Sequence, residues 1–238
     1  LFYEQSIIFM KKIVVLSGAG ISAESGIKTF RDTGGLWEEY DVMQVASIDG
    51  WNANPELVLK FYDERRQQLA EVKPNDAHTI LADLEQHFDI HVITQNVDNL
   101  HEQAGSSNVL HLHGELTKVR SCGNDEDIRD IGYSSISWGD KCEQGFQLRP
   151  HIVWFGEPVP EMSQAIEIIA DADFLIVIGT SLNVYPAASL IGYAPKQCKT
   201  YLIDPNDVSA HAHNITVIKE PASKGMKIIQ SYLLKQNE

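Results

Sequence analysis

The chain has 238 residues, 43% hydrophobic and 22% charged, which suits a soluble globular protein with one substantial core or a large domain carrying a small one. A formal net charge of -14 argues against nucleic acid as a partner, because phosphate contacts need a basic face; it fits basic, lysine-bearing proteins, or simply a solvated acidic surface. No apolar run approaches a membrane span, and three cysteines (Cys122, Cys142, Cys198) make no disulfide framework, so a cytoplasmic protein with no membrane partner is expected.

Residues 1–9, ahead of Met10, lack the basic start and apolar length of a signal sequence and read as a leftover or extension outside the fold. Residues 13–16 (Ile-Val-Val-Leu) read as a buried strand that breaks at Gly18-Ala19-Gly20, with helix-compatible residues from Ile21. The spacing Gly18-x-Gly20-x-x-Ala23 fits a dinucleotide-binding turn: tight, open at the backbone to a pyrophosphate, and small where the helix meets the strand. Ser22 and Ser25 add hydroxyl donors near a helix N-terminus, where unpaired N–H groups favour a phosphate. A purely structural turn would look the same. Dehydrogenases place an acidic residue about 20 residues further on to hold a ribose. Here residues 33–39 read Thr-Gly-Gly-Leu-Trp-Glu-Glu, a loop leading into a short helix, so the far half of a bound dinucleotide must be held by something else. Arg31 is placed to clamp a phosphate or neutralise a carboxylate, or is an ordinary surface arginine.

Residues 54–72 read as a helix, with Pro55 in its first turn and Leu57, Val58, Phe61, Tyr62, Arg65 and Leu69 at helical spacing. Pro74 and Asn75 end it, and residues 76–87 form a second amphipathic helix. The next strand, 90–94, ends in Gln95-Asn96-Val97-Asp98-Asn99-Leu100-His101; a third, 109–113, ends in His113-Gly114-Glu115. Residues 118–148 show no strong periodicity and read as a second insertion or a poorly ordered loop. The apolar signal returns at 151–157, followed by a helix (161–171), a buried strand (174–178) with Gly179-Thr180-Ser181 behind it, strands at 201–204 and 215–218, and a closing helix at 222–235. This alternation reads as an α/β fold, a Rossmann-like doubly wound parallel sheet with a smaller inserted domain. The division expected is 10–31, 76–117 and 149–238 for the nucleotide-binding domain. Residues 32–75 and 118–148 then form the inserted one, a helical module plus a loop module.

Four polar clusters fall at strand ends: 18–22, 95–101, 113–115 and 179–181. In a parallel sheet these ends share one edge, where ligands bind. His113 is the favoured general base, because an imidazole titrates near neutrality. His111, two residues earlier on the same strand face, is a rival, and Gly114 tips the choice by opening the backbone beside His113. Asn96 and Asp98 alternate along an extended segment and can face one ligand, or form an Asx turn. Structural zinc usually needs four Cys or His ligands, and the second insertion offers only Cys122 and Cys142, so free thiols and no zinc are expected.

Taken together, GAGISAESGIKTFR, TQNVDNLH, HLHGE, VWFGE and GTSLNVYPAA closely resemble the sirtuins, the NAD-dependent protein lysine deacylases. The match runs from about residue 11 to the C-terminus and is weakest over 119–147. The resemblance implies that Gly18, Ala19, Gly20, Ser22, Glu24, Phe30 and Arg31 surround NAD, with Phe30 covering the nicotinamide side. It implies that Gln95, Asn96 and Asp98 bind the nicotinamide ribose and carboxamide, that Gly179, Thr180 and Ser181 hold the adenosine half, and that His113 is the catalytic base. Val153, Trp154, Phe155, Gly156 and Glu157 would pair with the substrate backbone as a strand. The implied chemistry consumes NAD: the acyl oxygen attacks the ribose carbon as nicotinamide leaves, and lysine and O-acyl-ADP-ribose are released.

Ala46, Tyr62 and Arg65 resemble the pattern of sirtuins that remove acidic acyl groups such as succinyl and malonyl. Tyr62 and Arg65, three apart on a helix, share a face and can fork onto a distal carboxylate, while Ala46 leaves room. A surface pair with no ligand is the plainer alternative, and acetyl removal can coexist. Two departures stand out. The family's zinc-binding cysteine tetrad is missing, and Asp204 stands where many sirtuins place Asn. Partners implied are acylated-lysine proteins met by a monomer. Mono-ADP-ribosyl transfer and a non-catalytic NAD or ADP-ribose sensor are the rival readings.

Overall fold

β1 (Lys12–Ser17) is apolar from Ile13 to Leu16 and buried along that whole run, as a strand covered on both faces must be. In the computed structural model, which describes residues 10–28, 40–180, 182, 185–206 and 214–236, it lies at the centre of a six-stranded parallel sheet. Its neighbours are β2 (Asp89–Thr94) and, outside that, β3 (Val109–His111) on one side. A second, antiparallel sheet intervenes in the chain between β3 and the other half: β4 (Gly114–Ser121), β5 (Ile128–Asp130) and β6 (Leu148–Ile152), in the order β5-β4-β6. On the far side of β1 then come β7 (Phe174–Ile178), β8 (Lys199–Ile203) and β9 (Ile215–Ile218).

The parallel order β3-β2-β1-β7-β8-β9 reverses direction between β1 and β7, and such a switch point opens a crevice at the carboxyl ends of the strands. The register is flush there: Ser17 sits opposite both Thr94 and Ile178. The next residues stay tied across the edge, Gln95 N–H to Ser17 O at 2.9 Å and Gly18 N–H to Ile178 O at 3.0 Å. Alternate residues of β1 feed two cores. Ile13 and Val15 pack with α5 (Asp76–Leu84) and α8 (Ala222–Lys235); Val14 and Leu16 pack with α7 (Met162–Ile169) and the 3-10 turn Ala187–Tyr193.

A third core joins the antiparallel sheet to the helices α2 (Val42–Val45), α3 (Ile48–Ala53) and α4 (Pro55–Glu71). Asn54 caps α4 by accepting from Leu57 N–H at 3.1 Å, and Pro55 occupies the first turn, where its missing N–H costs nothing. Arg66, fully buried on α4, donates to Leu116 O and Ser134 O, each at 3.0 Å, and pairs with Asp63. It staples helix to sheet.

Two expectations change. Of the two readings of residues 118–148, the loop fails: they carry the second half of β4, all of β5 and the first residue of β6. Their period was hidden because β4 is buried on both faces and its pairing with β6 shifts register between Gly114 and Val119, so no alternation survives. The strand expected over 109–113 stops at His111. Gly114, at φ +80°, turns the chain so closely against His151 O that a Cβ could not fit, and His113 falls between the two sheets.

Candidate active site

At the end of β1 the glycine turn packs against a second one. A Cβ on Gly18 would meet Gly179 O and the Thr180 Cβ at 2.8 Å, and one on Gly20 would meet the Gly179 Cα at 2.7 Å. Both glycines are therefore needed for turn-on-turn contact, which Gly20 N–H seals with a 2.8 Å bond to Gly179 O. α1 (Gly20–Ala23) is a single turn, and the N–H groups of Ile21 and Ser22 bond to Gly18 O and Ala19 O. The unpaired donors expected at this helix start are thus already engaged at Gly20, Ile21 and Ser22. The serine hydroxyls are engaged as well. Ser25 Oγ accepts from Asn75 Nδ2 at 3.0 Å, and Ser22 Oγ accepts from Asn96 Nδ2 at 3.2 Å while donating to Asp98 Oδ2 at 3.0 Å. Glu24 turns to α8, where its carboxylate accepts Ser223 N–H at 2.8 Å and serves a helix start that lacks a side-chain cap.

Ser22 thus joins the two polar residues that follow β2. Asn96 is buried, with its N–H on Thr94 Oγ1 at 3.0 Å. Asp98, also buried, accepts Leu100 N–H at 3.2 Å and so starts α6 (Leu100–Ala104), the Asx-type bond foreseen as the alternative. Burial pushes its carboxyl up, against the pull of the Leu100 and Ser22 bonds. Gln95 reaches across the crevice, donating through Nε2 to Thr180 Oγ1 at 3.1 Å.

His113 Nδ1 lies 3.0 Å from Gln95 O. A carbonyl only accepts, so Nδ1 carries the proton and Nε2 keeps its lone pair. Burial lowers the pKa of this ring, partly offset by the Gln95 carbonyl, which favours the neutral base. A further buried layer includes His101, the last member of the 95–101 cluster, and adds Ser17, Thr94 and His78. Ser17 Oγ donates to Thr94 Oγ1 at 2.9 Å and touches His101 Nε2 at 3.0 Å, and the His101 ring meets buried His78 edge-on at 4.9 Å. His78 also closes a capping box with Asn75 at the start of α5.

On the inserted side, Trp154 donates its indole N–H to Tyr62 Oη at 3.0 Å, and both rings are buried. Arg149 stacks 3.5 Å over the Trp154 ring and pairs with Glu157, whose other oxygen holds Trp154 N–H at 2.8 Å. Arg65, one turn from Tyr62, stacks 5.0 Å from Phe61. Its Nε and Nη1 are buried without a hydrogen-bond partner among the described residues. Phe155 bonds through N–H to Ala46 O at 2.9 Å and through C=O to Ile48 N–H at 3.3 Å. Both Phe155 backbone groups are thus engaged within the chain, as is Val153 N–H, which bonds to His113 O. Phe30, Arg31 and Ser181 lie outside the described residues.

Residues 18–186 match the Sir2 family. The chain belongs to that family. Among relatives, the NAD-dependent protein deacylase of Bacteroides thetaiotaomicron is 53% identical over 94% of this chain and 99% of its own. The NAD-dependent protein deacylase of one Helicobacter pylori strain is 53% identical over 95% of this chain and 99% of its own. A crystal structure of a Sir2 homologue bound to NAD superposes with a TM-score of 0.86, at 36% identity, covering 96% of this chain and 91% of that one.

Sir2 proteins usually bind zinc in the small domain, and the residues here do not fit it. Cys122 is exposed, Cys142 is buried with Sγ 3.4 Å from Ser121 Oγ, and the remaining thiol, Cys198, belongs to the core of the parallel sheet. Two thiols cannot make a four-thiolate site. The Phe146 ring fills the space over Gly123 instead, so closely that no Cβ would fit there. Elsewhere Glu102, His111 and Glu115 bring their ligand atoms within 4.8 Å of one another, but the Lys118 ammonium sits 2.6 Å from Glu115 and balances the charge without an ion.

Proposed function

We propose that this Sir2 chain is an NAD-dependent protein-lysine deacylase that removes carboxylate-bearing acyl groups such as succinyl and malonyl, as well as acetyl. NAD, when bound, supplies a ribose whose bond to nicotinamide is broken and whose carbon takes the acyl oxygen. The observation that carries the reaction class is the 3.0 Å contact between His113 Nδ1 and Gln95 O. With Nδ1 donating to Gln95 O, Nε2 is left to take a proton from a ribose hydroxyl at the carboxyl edge of the sheet. Asn96 and Asp98, cross-linked through Ser22 at the switch point, offer an amide and a carboxylate to the sugar. The paired glycine turns and Thr180 form the opposite wall.

The acyl preference is supported by Arg65. Arg65 Nη2 lies 3.7 Å from Glu64, but Nε and Nη1 are buried without a partner among the described residues, which is costly unless a ligand supplies the acceptor, and a carboxylate matches that fork. Tyr62 adds a second donor. Because an indole N–H only donates, Tyr62 Oη is the acceptor toward Trp154 and keeps its own hydrogen free; burial raises its pKa and keeps it protonated. Incubating the protein with NAD and succinyl-lysine or acetyl-lysine peptides, with products weighed by mass spectrometry, tests the reading. Free lysine peptide, nicotinamide and O-acyl-ADP-ribose in equal amounts are expected. A peptide gaining ADP-ribose would make the chain a transferase, and no turnover would make it a sensor.

A further inference from the structure

His111 and His113 bind consecutive carbonyls of the same segment through the same ring atom: His111 Nδ1 lies 2.9 Å from Asn96 O, and His113 Nδ1 lies 3.0 Å from Gln95 O. Their second nitrogens meet opposite surroundings. His111 Nε2 faces the Glu102 carboxylate of α6 at 2.8 Å. A carbonyl and a carboxylate both accept only, so a ring held between them needs a proton on each nitrogen. From the geometry we infer that His111 is a positioning residue for the reaction: as an imidazolium clamped by Glu102, it fixes the Asn96 backbone, and the enzyme loses this clamp when His111 gives up its proton. Two histidines on one segment then set the two limbs of the pH profile, His113 needing to be neutral and His111 needing to be charged.

Every charged neighbour of His111 bears on this. Glu102 lies on α6; Glu115 and Lys118 lie on β4, bonded to each other at 2.6 Å; Asp98 and His101 stand on the near side, within electrostatic reach. Burial disfavours the charged ring, but the Glu102 bond and the charges of Glu102 and Glu115 outweigh it, and the pKa of His111 is raised. The same positive ring favours the ionised form of Asp98, whose carboxyl is otherwise pushed up by burial. Clamp and carboxylate therefore support one another at the sugar-facing loop.

The inference rests on the reading that Asn96 faces NAD, and the test separates the two. It is the pH dependence of kcat/KM for NAD, at saturating acyl peptide, in the wild type, His111→Asn and His111→Gln. Asparagine places its amide where Nδ1 stood, so it still donates to Asn96 O but has no proton to lose; glutamine reaches toward Glu102 and leaves Asn96 O unserved. The wild type is expected to fall on both sides of an optimum. His111→Asn keeps the acid limb and loses the alkaline one. His111→Gln raises the KM for NAD about tenfold, the scale of one lost charge-assisted hydrogen bond, while kcat changes less. Imidazole-nitrogen NMR of the wild type checks the same claim without a substitution: His111 is doubly protonated at neutral pH and His113 is neutral with its proton on Nδ1. An alkaline limb that persists unchanged in His111→Asn, or a neutral His111 in the NMR spectrum, overturns the inference while leaving the deacylase reading intact. A wild type that makes no NAD-dependent product overturns both.

Discussion

Trp154 and Tyr62 stand 92 positions apart in sequence and meet through a single 3.0 Å bond from indole N–H to phenol oxygen, inside a cluster braced by Arg149 and Glu157. That bond decides which way the phenol hydrogen points. Trp154→Phe keeps the ring packing and removes the donor, so Tyr62 loses its fixed orientation. Succinyl-peptide kcat/KM is expected to fall about three- to tenfold, the scale of one neutral hydrogen bond, with acetyl-peptide kcat/KM little changed. Equal losses on both peptides would mean that Trp154 shapes the cleft as a whole.

Arg66 carries the largest stability prediction. It is fully buried, serves two backbone carbonyls and neutralises Asp63, which in turn accepts Ile136 N–H at 3.2 Å. Arg66→Met takes the cation from a partly buried carboxylate, which keeps only Ile136 N–H, and removes the side-chain donor from two carbonyls. Removing one member of such a pair costs about 3–5 kcal/mol. Chemical denaturation is expected to show that loss, whereas a change under 1 kcal/mol, roughly what an exposed ion pair is worth, would show the staple to be dispensable.

Acid stability follows from the buried histidine pair. Burial holds His78 at about 4, against an ordinary 6.5, and holds His101 well below the ordinary value. Between those two values of His78 the unfolded chain binds the proton and the folded chain does not, so stability is present above pH 6.5 and drains away as pH falls toward 4. His78 alone accounts for about 3 kcal/mol over that window. Urea midpoints measured at intervals across it should fall steadily in the wild type and less steeply in His78→Asn. Parallel slopes would remove His78 from the explanation.

Metal removal gives a further check. With only two thiols, Cys122 and Cys142, in the segments that join the small sheet's strands and Phe146 packed over Gly123, chelators are expected to leave the unfolding temperature and the deacylation rate unchanged. A drop in either would mean that Cys122 and Cys142 recruit an ion with other donors.

Much of this was legible in the sequence, for local reasons. The parallel strands are unbroken apolar runs between polar ends, and α4 announces itself with Asn54, Pro55 and a clean apolar stripe. The convergence of Gln95, Asn96, Asp98, His113 and Thr180 on one edge followed from strand ends alone. What escaped depends on contacts distant in sequence. β4 lost its alternation to burial on both faces and to a register shift. The Gly20 N–H looked free because its partner Gly179 is 159 positions away, while those of Ile21 and Ser22 are held within the turn by Gly18 O and Ala19 O. His111 looked like a rival base because only the fold reveals Glu102 at its second nitrogen.

The central claim is a reaction with His113 as base and an acyl pocket with Arg65 as anchor, and one matched experiment addresses both. Succinyl-lysine and acetyl-lysine versions of one peptide are turned over with NAD by the wild type, Arg65→Met and His113→Ala, and kcat/KM is read from the deacylated peptide. The wild type is expected to prefer the succinyl peptide. Arg65→Met should lose about ten- to a hundredfold on that peptide alone, the range for a charge-assisted contact, and His113→Ala should lose turnover on both. Wild-type preference for acetyl, an equal loss on both peptides in Arg65→Met, or full activity in His113→Ala would contradict the account.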